Sequence, residues 1–137
     1  MKKKKVLIVS AEYYSEISTK MESDAIDCLK NWKDFSIDQK NFLINVPGVF
    51  EIPVVIARNI ESYDGIIALG CVIKGETPHF DFISKSTTEA IMNLSIKNKK
   101  PIGNGIITCL NKEQATIRSK KKGIEAAKAV ISVLTSL

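Results

Sequence analysis

An α/β domain, a four-stranded parallel sheet with helices on both faces, is predicted by three observations. Short continuous apolar runs, beginning with Val6-Leu7-Ile8-Val9, have the composition of strands buried on both faces. Between them lie segments whose apolar residues recur at helical spacing. The connections are short and no linker or repeat interrupts the alternation, so residues 1–137 read as a single domain joined by right-handed crossovers.

The first strand runs from Val6 to Val9 and gives way to a polar and aromatic loop, residues 10–15. Ile17, Met21, Ala25, Cys28 and Trp32 then recur at spacings of four, four, three and four, which makes an amphipathic helix. Residues 33–36 form a turn. Phe42 to Val46 is the second strand, stopped at Pro47-Gly48 because proline cannot donate to a ladder. Ile52, Val55, Ile56 and Ile60 keep a helical period around Pro53, which puts that proline in a first turn, where an N–H has no intrahelical partner to lose. Tyr63-Asp64-Gly65 turns the chain into the third strand, ending near Ile73. Pro78 suits the first position of the next helix, whose face carries Phe80, Ile83, Thr87, Ile91 and Leu94 and whose end is the cationic run 97–100. Ile102 to Thr108 is the fourth strand, where Gly103 and Gly105 imply that another group approaches the backbone closely. Residues 112–118 read as a short helix, and Ile124, Ala127, Ile131 and Leu134 mark a separate last one.

Composition narrows the function. The formal net charge of +5 is carried by lysine, since Arg58 and Arg118 are the only arginines. The lysines are scattered apart from runs at 2–5, 97–100 and 120–122, a pattern of solvated ends and loops rather than a nucleic-acid surface, which favours the guanidinium fork. Cys28, Cys71 and Cys109 are odd in number and far apart, with no C-x-x-C pair; this points to a reduced cytoplasmic setting and away from a disulfide framework or zinc site. Four apolar residues after the basic start are too few for a signal peptide, and no run is long enough to span a bilayer.

In parallel sheets ligands bind beyond the carboxyl ends of the strands. Those ends carry Tyr13-Tyr14, Val49-Phe50-Glu51, the segment 71–79, and residues 108–111. His79, the single histidine, falls at a helix start, where free N–H groups and the dipole attract anions; a base beside an anion site is a candidate for proton transfer. Tyr13 either stacks on a planar ligand or seals the sheet edge. Glu51 near a helix N-terminus is electrostatically favourable whether or not it holds ligand hydroxyls. Gly75-Glu76-Thr77 offers N–H groups and a hydroxyl to a phosphate, with Glu76 repelling one if its carboxylate turned inward; it is neither a Walker loop nor G-x-G-x-x-G. Arg118 is either a phosphate clamp or a surface cation.

Taken together, these segments resemble the 6,7-dimethyl-8-ribityllumazine synthase family of riboflavin biosynthesis. The resemblance rests on Val46-Pro47-Gly48-Val49-Phe50-Glu51-Ile52-Pro53, on the stretch from Gly70 to Ile83 containing Lys-Gly-Glu-Thr-Pro-His, on Gly105-Ile106-Ile107-Thr108 leading to Glu113-Gln114-Ala115, and on residues 122–127, which resemble the start of the family's final helix. It implies a flavodoxin-like three-layer sandwich, assembled at least as a pentamer with each active site between neighbouring subunits. It also implies a transferase that condenses 5-amino-6-(D-ribitylamino)uracil with 3,4-dihydroxy-2-butanone 4-phosphate, releasing phosphate and water, with no metal and no organic cofactor. Carried over residue by residue, the aromatic stacking position falls on Tyr13, and pyrimidine and ribityl contacts on Val49, Phe50, Glu51, Cys71, Val72 and Ile73. Butanone-phosphate contacts fall on Glu76, Thr77, Arg118 and Lys122, and proton transfer on His79. Riboflavin synthase is a further partner that the resemblance raises.

This chain departs from the family pattern at four places. Glu12-Tyr13-Tyr14 stands where Arg-Phe-Asn is frequent, Asn104 where a phenylalanine often stacks on the substrate from the neighbouring subunit, and Lys74 where arginine is frequent. The link from Arg118 to Gly123 is short, and almost nothing precedes the first strand; those two regions influence association into larger shells. The altered stacking positions raise an alternative, a catalytically weak relative that binds flavin or lumazine. A flavodoxin-like receiver domain lacks the acidic cluster it would need for Mg²⁺.

Overall fold

The computed structural model describes residues 3–36 and 40–136. Lys2, part of the basic start, lies outside them. Four strands, β1 (Val6–Ala11), β2 (Leu43–Val46), β3 (Gly65–Ile73) and β4 (Ile102–Cys109), alternate with four helices, α1 (Ser15–Lys30), α2 (Ile52–Asn59), α3 (His79–Asn98) and α4 (Lys112–Thr135). The sheet is parallel throughout, in the order β2-β1-β3-β4. Its two faces bury separate cores. Val6 and Ile8 of β1, with Ile67 and Leu69 of β3, pack against α1 and α4; Leu7 and Val9, with Ile66 and Ala68, pack against α2 and α3. The fold is a three-layer, flavodoxin-like α/β sandwich.

The strand order explains the layering. The chain moves from β1 to β2 in one direction and from β2 past β1 to β3 in the other, so right-handed crossovers put α1 on one face and α2 and α3 on the opposite face. The reversal creates a switch point beyond the carboxyl ends of β1 and β3, where ligands bind in such sheets. Among the described residues no helix is long and apolar enough to cross a membrane.

Pro53 sits in the first turn of α2, as its position in the sequence predicts, after a short 3-10 turn over Val49–Glu51. Four local expectations need correction. The buried face of α1 is Ile17, Met21, Ala25 and Leu29, at spacings of four throughout; Cys28 is only half-buried, and Trp32 lies beyond the helix end at Lys30. Pro78 occupies the cap of α3 rather than its first position, because its carbonyl already accepts from the Asp81 and Phe82 N–H groups at 3.1 and 3.3 Å. The helix ends at Asn98, with Lys99 in the left-handed cap conformation (φ 54°).

The fourth correction is the largest. Residues 112–118 and 124–134 belong to one continuous helix, so the motif at 122–127 lies in the middle of α4 and does not start a helix. Asn111 caps it by accepting from the Gln114 N–H, while Gln114 accepts in return from the Leu110 N–H, both at 2.9 Å. No proline interrupts the lysine-rich middle, and lysine is a good helix former. The buried residues, Ala115, Ser119, Gly123, Ala126, Ala127 and Val130, are mostly small. Small residues let α4 lie close to its neighbours: a Cβ on Gly123 would stand 2.3 Å from the Met21 carbonyl oxygen of α1, and one on Gly103 2.3 Å from that of Ala126. The close approach to β4 expected from Gly103 and Gly105 is therefore made by α4 at Gly103, and at Gly105 first by Leu69 and Ala68 of β3, with Ala126 of α4 at 3.2 Å.

Candidate active site

A cavity of about 640 Å³ opens at the switch point. One wall is the turn between β1 and α1. Tyr13 and Tyr14 meet there edge to face, ring centroids 4.9 Å apart and planes at 82°. Tyr14 is half-buried, and burial first, then Tyr13 and Cys71, pushes its hydroxyl pKa up. Tyr13 is 76% exposed, so it does not seal the sheet edge within this chain. The second wall is the loop after β2. Its Glu51 carboxylate accepts from the Gly48 N–H at 2.9 Å, which closes the 3-10 turn with Val49 buried and Phe50 at the rim. Glu51 thus has a structural task, whatever else it contacts. Phe50 is 64% exposed.

The floor is the end of β3, Cys71–Ile73, where Cys71 and Val72 are buried and Ile73 is half-buried. Gly70 just before it is needed for packing, since a Cβ would come within 2.7 Å of Val49 and 3.3 Å of Ala11. Gly75 in the loop beyond is different: an added Cβ meets nothing within 4 Å, because the residue borders open space. The loop ends at Thr77, whose hydroxyl receives the His79 N–H at 3.4 Å. His79 is the first residue of α3 and lines the cavity beside Phe80 and Ile83.

Of the residues expected at the site, Tyr13, Val49, Phe50, Glu51, Cys71, Val72, Ile73, Thr77 and His79 line this one cavity. Glu76 is exposed and outside the lining, which removes the repulsion an inward carboxylate would cause. Arg118 and Lys122 lie elsewhere. They line a separate cavity of about 560 Å³ between β4 and α4, with Thr108, Lys120, Lys121 and Glu125. One helical turn apart, they share a face of α4. The Arg118 guanidinium donates to the Thr108 carbonyl at 2.9 Å, and the Lys122 ammonium stands 4.0 Å from the Glu125 carboxylate. Asn104, exposed on the edge strand β4, lines neither cavity; its side-chain oxygen accepts from the Ile106 N–H at 3.1 Å. Tyr14, Gly48, Gly75, Phe80 and Ile83 complete the first cavity, and Tyr14 was signalled by its place beside Tyr13 at a strand end.

The two cavities differ electrostatically. The first is lined by aromatic and aliphatic groups with one carboxylate and one imidazole, and neither lysine nor arginine; the second gathers four cations and one carboxylate. A flat, uncharged ring suits the first and an anion suits the second.

All three thiols are free, and Cys71 is 6% exposed. Burial, and then Cys109, pushes its pKa from 9.0 up to about 12. It therefore offers the cavity a protonated thiol at neutral pH rather than a thiolate nucleophile. Because the folded value is the higher one, the contribution of Cys71 to stability is complete below pH 9.0 and is lost as the pH rises toward about 12. Denaturant unfolding across that window should show stability falling with pH, with a shallower fall in Cys71→Ala; an equal fall in both would remove Cys71 as a contributor.

The fold and cavity define a flavodoxin-like α/β protein with a cavity of small-molecule size at its switch point. Comparison with known proteins narrows this. A profile of the 6,7-dimethyl-8-ribityllumazine synthase family matches residues 3–137. A Bartonella tribocorum protein named 6,7-dimethyl-8-ribityllumazine synthase is 42% identical, the alignment covering 97% of this chain and 89% of the relative. A Rhodopseudomonas palustris protein named 6,7-dimethyl-8-ribityllumazine synthase 1 is 40% identical over 95% of this chain and 83% of its own length. One from Cutibacterium acnes, named as the first is, is 37% identical over 97% and 81%. The chain belongs to the 6,7-dimethyl-8-ribityllumazine synthase family of enzymes.

Proposed function

We propose that the protein condenses 5-amino-6-(D-ribitylamino)uracil with 3,4-dihydroxy-2-butanone 4-phosphate to give 6,7-dimethyl-8-ribityllumazine, phosphate and water, the step before riboflavin. The observation that carries this reading is the convergence of Tyr13, Val49–Glu51, Cys71–Ile73 and His79 on one cavity. The pyrimidine lies against the aromatic wall, with the β3 end beneath it. Imine formation, phosphate elimination and ring closure all move protons, and His79 at the cavity rim is the group that gives and takes them. Holding two reactive substrates side by side supplies much of the rest, up to ~7–11 kcal/mol in favourable cases.

Separation of the cations from His79 supports a site shared between copies of the chain. A phosphate-bearing substrate in the first cavity needs Arg118 and Lys122, which line the second, so a neighbouring subunit brings its own pair to the mouth. Tyr13, Phe50 and Phe82, 76%, 64% and 66% exposed, are large apolar groups that such a neighbour would cover. The assembly is a homo-oligomer, a pentamer or an assembly of pentamers, working in the cytoplasm, where its free thiols stay reduced.

Mixing the two substrates with the protein should produce lumazine absorbance and phosphate release together, well above the rate without protein, and light scattering should give a multiple of five chains. Lumazine binding without turnover would replace this reading with that of a catalytically weak relative, and a monomer would overturn the shared site. Arg118→Ala should raise KM for the phosphate substrate roughly 10-fold or more, as loss of a charge-assisted bond does, while KM for the pyrimidine changes less than about threefold. The opposite ranking would show that Arg118 is not the phosphate clamp.

A further inference from the structure

We infer that Glu22, a residue outside both cavities, is a positioning residue that fixes the spacing between the two aromatic walls of the site. Ser10 is a fully buried hydroxyl in a strand that is otherwise apolar from Val6 to Ala11. Such a group costs free energy unless it finds a partner. Its Oγ–H donates to Glu22 Oε2 at 2.6 Å, and the Asn45 side-chain amide donates to the same oxygen at 3.1 Å. Ser10 and Asn45 are register partners on β1 and β2, so one half-buried carboxylate on α1 ties two strands and a helix together.

The tie lies where the site begins. Tyr13 follows Ser10 by three residues and Gly48 follows Asn45 by three, and these open the two walls. β2 is a four-residue edge strand paired only with β1, so its lateral attachment is short. On the other side both walls converge on Gly70, where Val49 and Ala11 leave no room for a Cβ. The Ser18 hydroxyl, donating to the Ala11 carbonyl, anchors the same end of α1. A hydroxyl taking a backbone carbonyl would satisfy Ser10 alone. A side-chain carboxylate that also takes Asn45 joins the wall carried by β1 to the wall carried by β2. A flat ring held between walls loses a quarter to a half of its contact attraction when a gap opens by roughly 0.5–1 Å. Releasing the clamp therefore weakens binding of the ring while the cations of α4 keep their grip on phosphate.

This inference rests on the proposed lumazine-forming site, and its test separates the two. The probe is 6,7-dimethyl-8-ribityllumazine, titrated by its fluorescence, with steady-state KM values for both substrates. Glu22→Ala should bind the probe about tenfold more weakly and raise KM for the pyrimidine similarly, leaving KM for the phosphate substrate within about twofold. Glu22→Gln, which keeps an acceptor oxygen for both donors, should return to within about twofold of the wild type. Asn45→Ala cuts only the β2 arm at an exposed position and should weaken the probe in the same direction, which keeps the test open if Glu22→Ala does not fold. Amide hydrogen exchange reads the clamp without any ligand: Glu22→Ala should speed exchange at 12–14 and 48–51 ahead of the rest of the chain. Unchanged exchange there, failure of glutamine to rescue, or Asn45→Ala matching wild type would overturn the clamp. A wild type that neither makes nor binds the lumazine would instead overturn the proposed reaction, with the exchange result still standing.

Discussion

Replacing His79 with alanine is expected to lower kcat roughly 10²-fold or more, the range in which a positioned acid–base group works, corresponding to at least about 2.7 kcal/mol of barrier. KM for both substrates should change little. The separation follows from geometry. His79 occupies the first residue of α3 at the cavity rim, whereas the proposed ring-binding surface is Tyr13, Val49–Glu51 and the end of β3, which line the same cavity. Truncating the imidazole removes neither wall and none of the cations on α4. It leaves the Thr77 hydroxyl beside a backbone N–H that alanine also has, so the helix start is kept. Added imidazole should restore part of the lost rate by entering the space left behind. An unchanged kcat would remove His79 from the proton transfers; a rise in KM with kcat intact would make it a binding group instead.

The fold and one face of the site were legible because they depend on local pattern. Doubly buried strands have to be apolar runs, and ligands in parallel sheets have to meet strand ends, so Tyr13, Val49–Glu51 and Cys71–Ile73 followed from where the runs stop. What was not legible depended on tertiary contact. Pro78 and Leu29 are shifts of one residue, set by which carbonyl or side chain meets its neighbour. Glu22 looks like any charged residue on an amphipathic helix until Ser10 and Asn45 are brought beneath it. Arg118 and Lys122 belong to a different cavity from His79, which no spacing along the chain reveals. The link between the two halves of α4 reads as a break because residues 122–127 resemble a helix start, and the Gly123 within them is a poor helix former. That glycine is explained by α1, not by its own helix.

Gly123→Ala decides between these two physical effects by the sign of its result. Within α4, alanine is favoured over glycine by about 1 kcal/mol, so helix propensity alone predicts a more stable protein. Against this, the new methyl carbon would stand 2.3 Å from the Met21 carbonyl oxygen and 3.1 Å from the Met21 carbonyl carbon and Cα. Side-chain overpacking typically costs about 1–3 kcal/mol, and the upper end applies here because backbone atoms cannot rotate away. Packing therefore wins, with a net loss of about 2 kcal/mol and a fall of roughly 6 °C in Tm for a domain of this length. Valine at the same position should cost more, since it adds two methyl groups and the helix penalty of a branched side chain. The consequence reaches the second cavity, because Arg118 and Lys122 ride on the turns just before Gly123. As α4 is pushed away from α1, those cations move with it, so a folded Gly123→Ala protein should also show a higher KM for the phosphate-bearing substrate. Increased stability would mean that α1 and α4 lie farther apart than 2.3 Å implies and that propensity governs the site; reduced stability with an unaltered KM would mean that the helix yields locally and leaves Arg118 and Lys122 where they are.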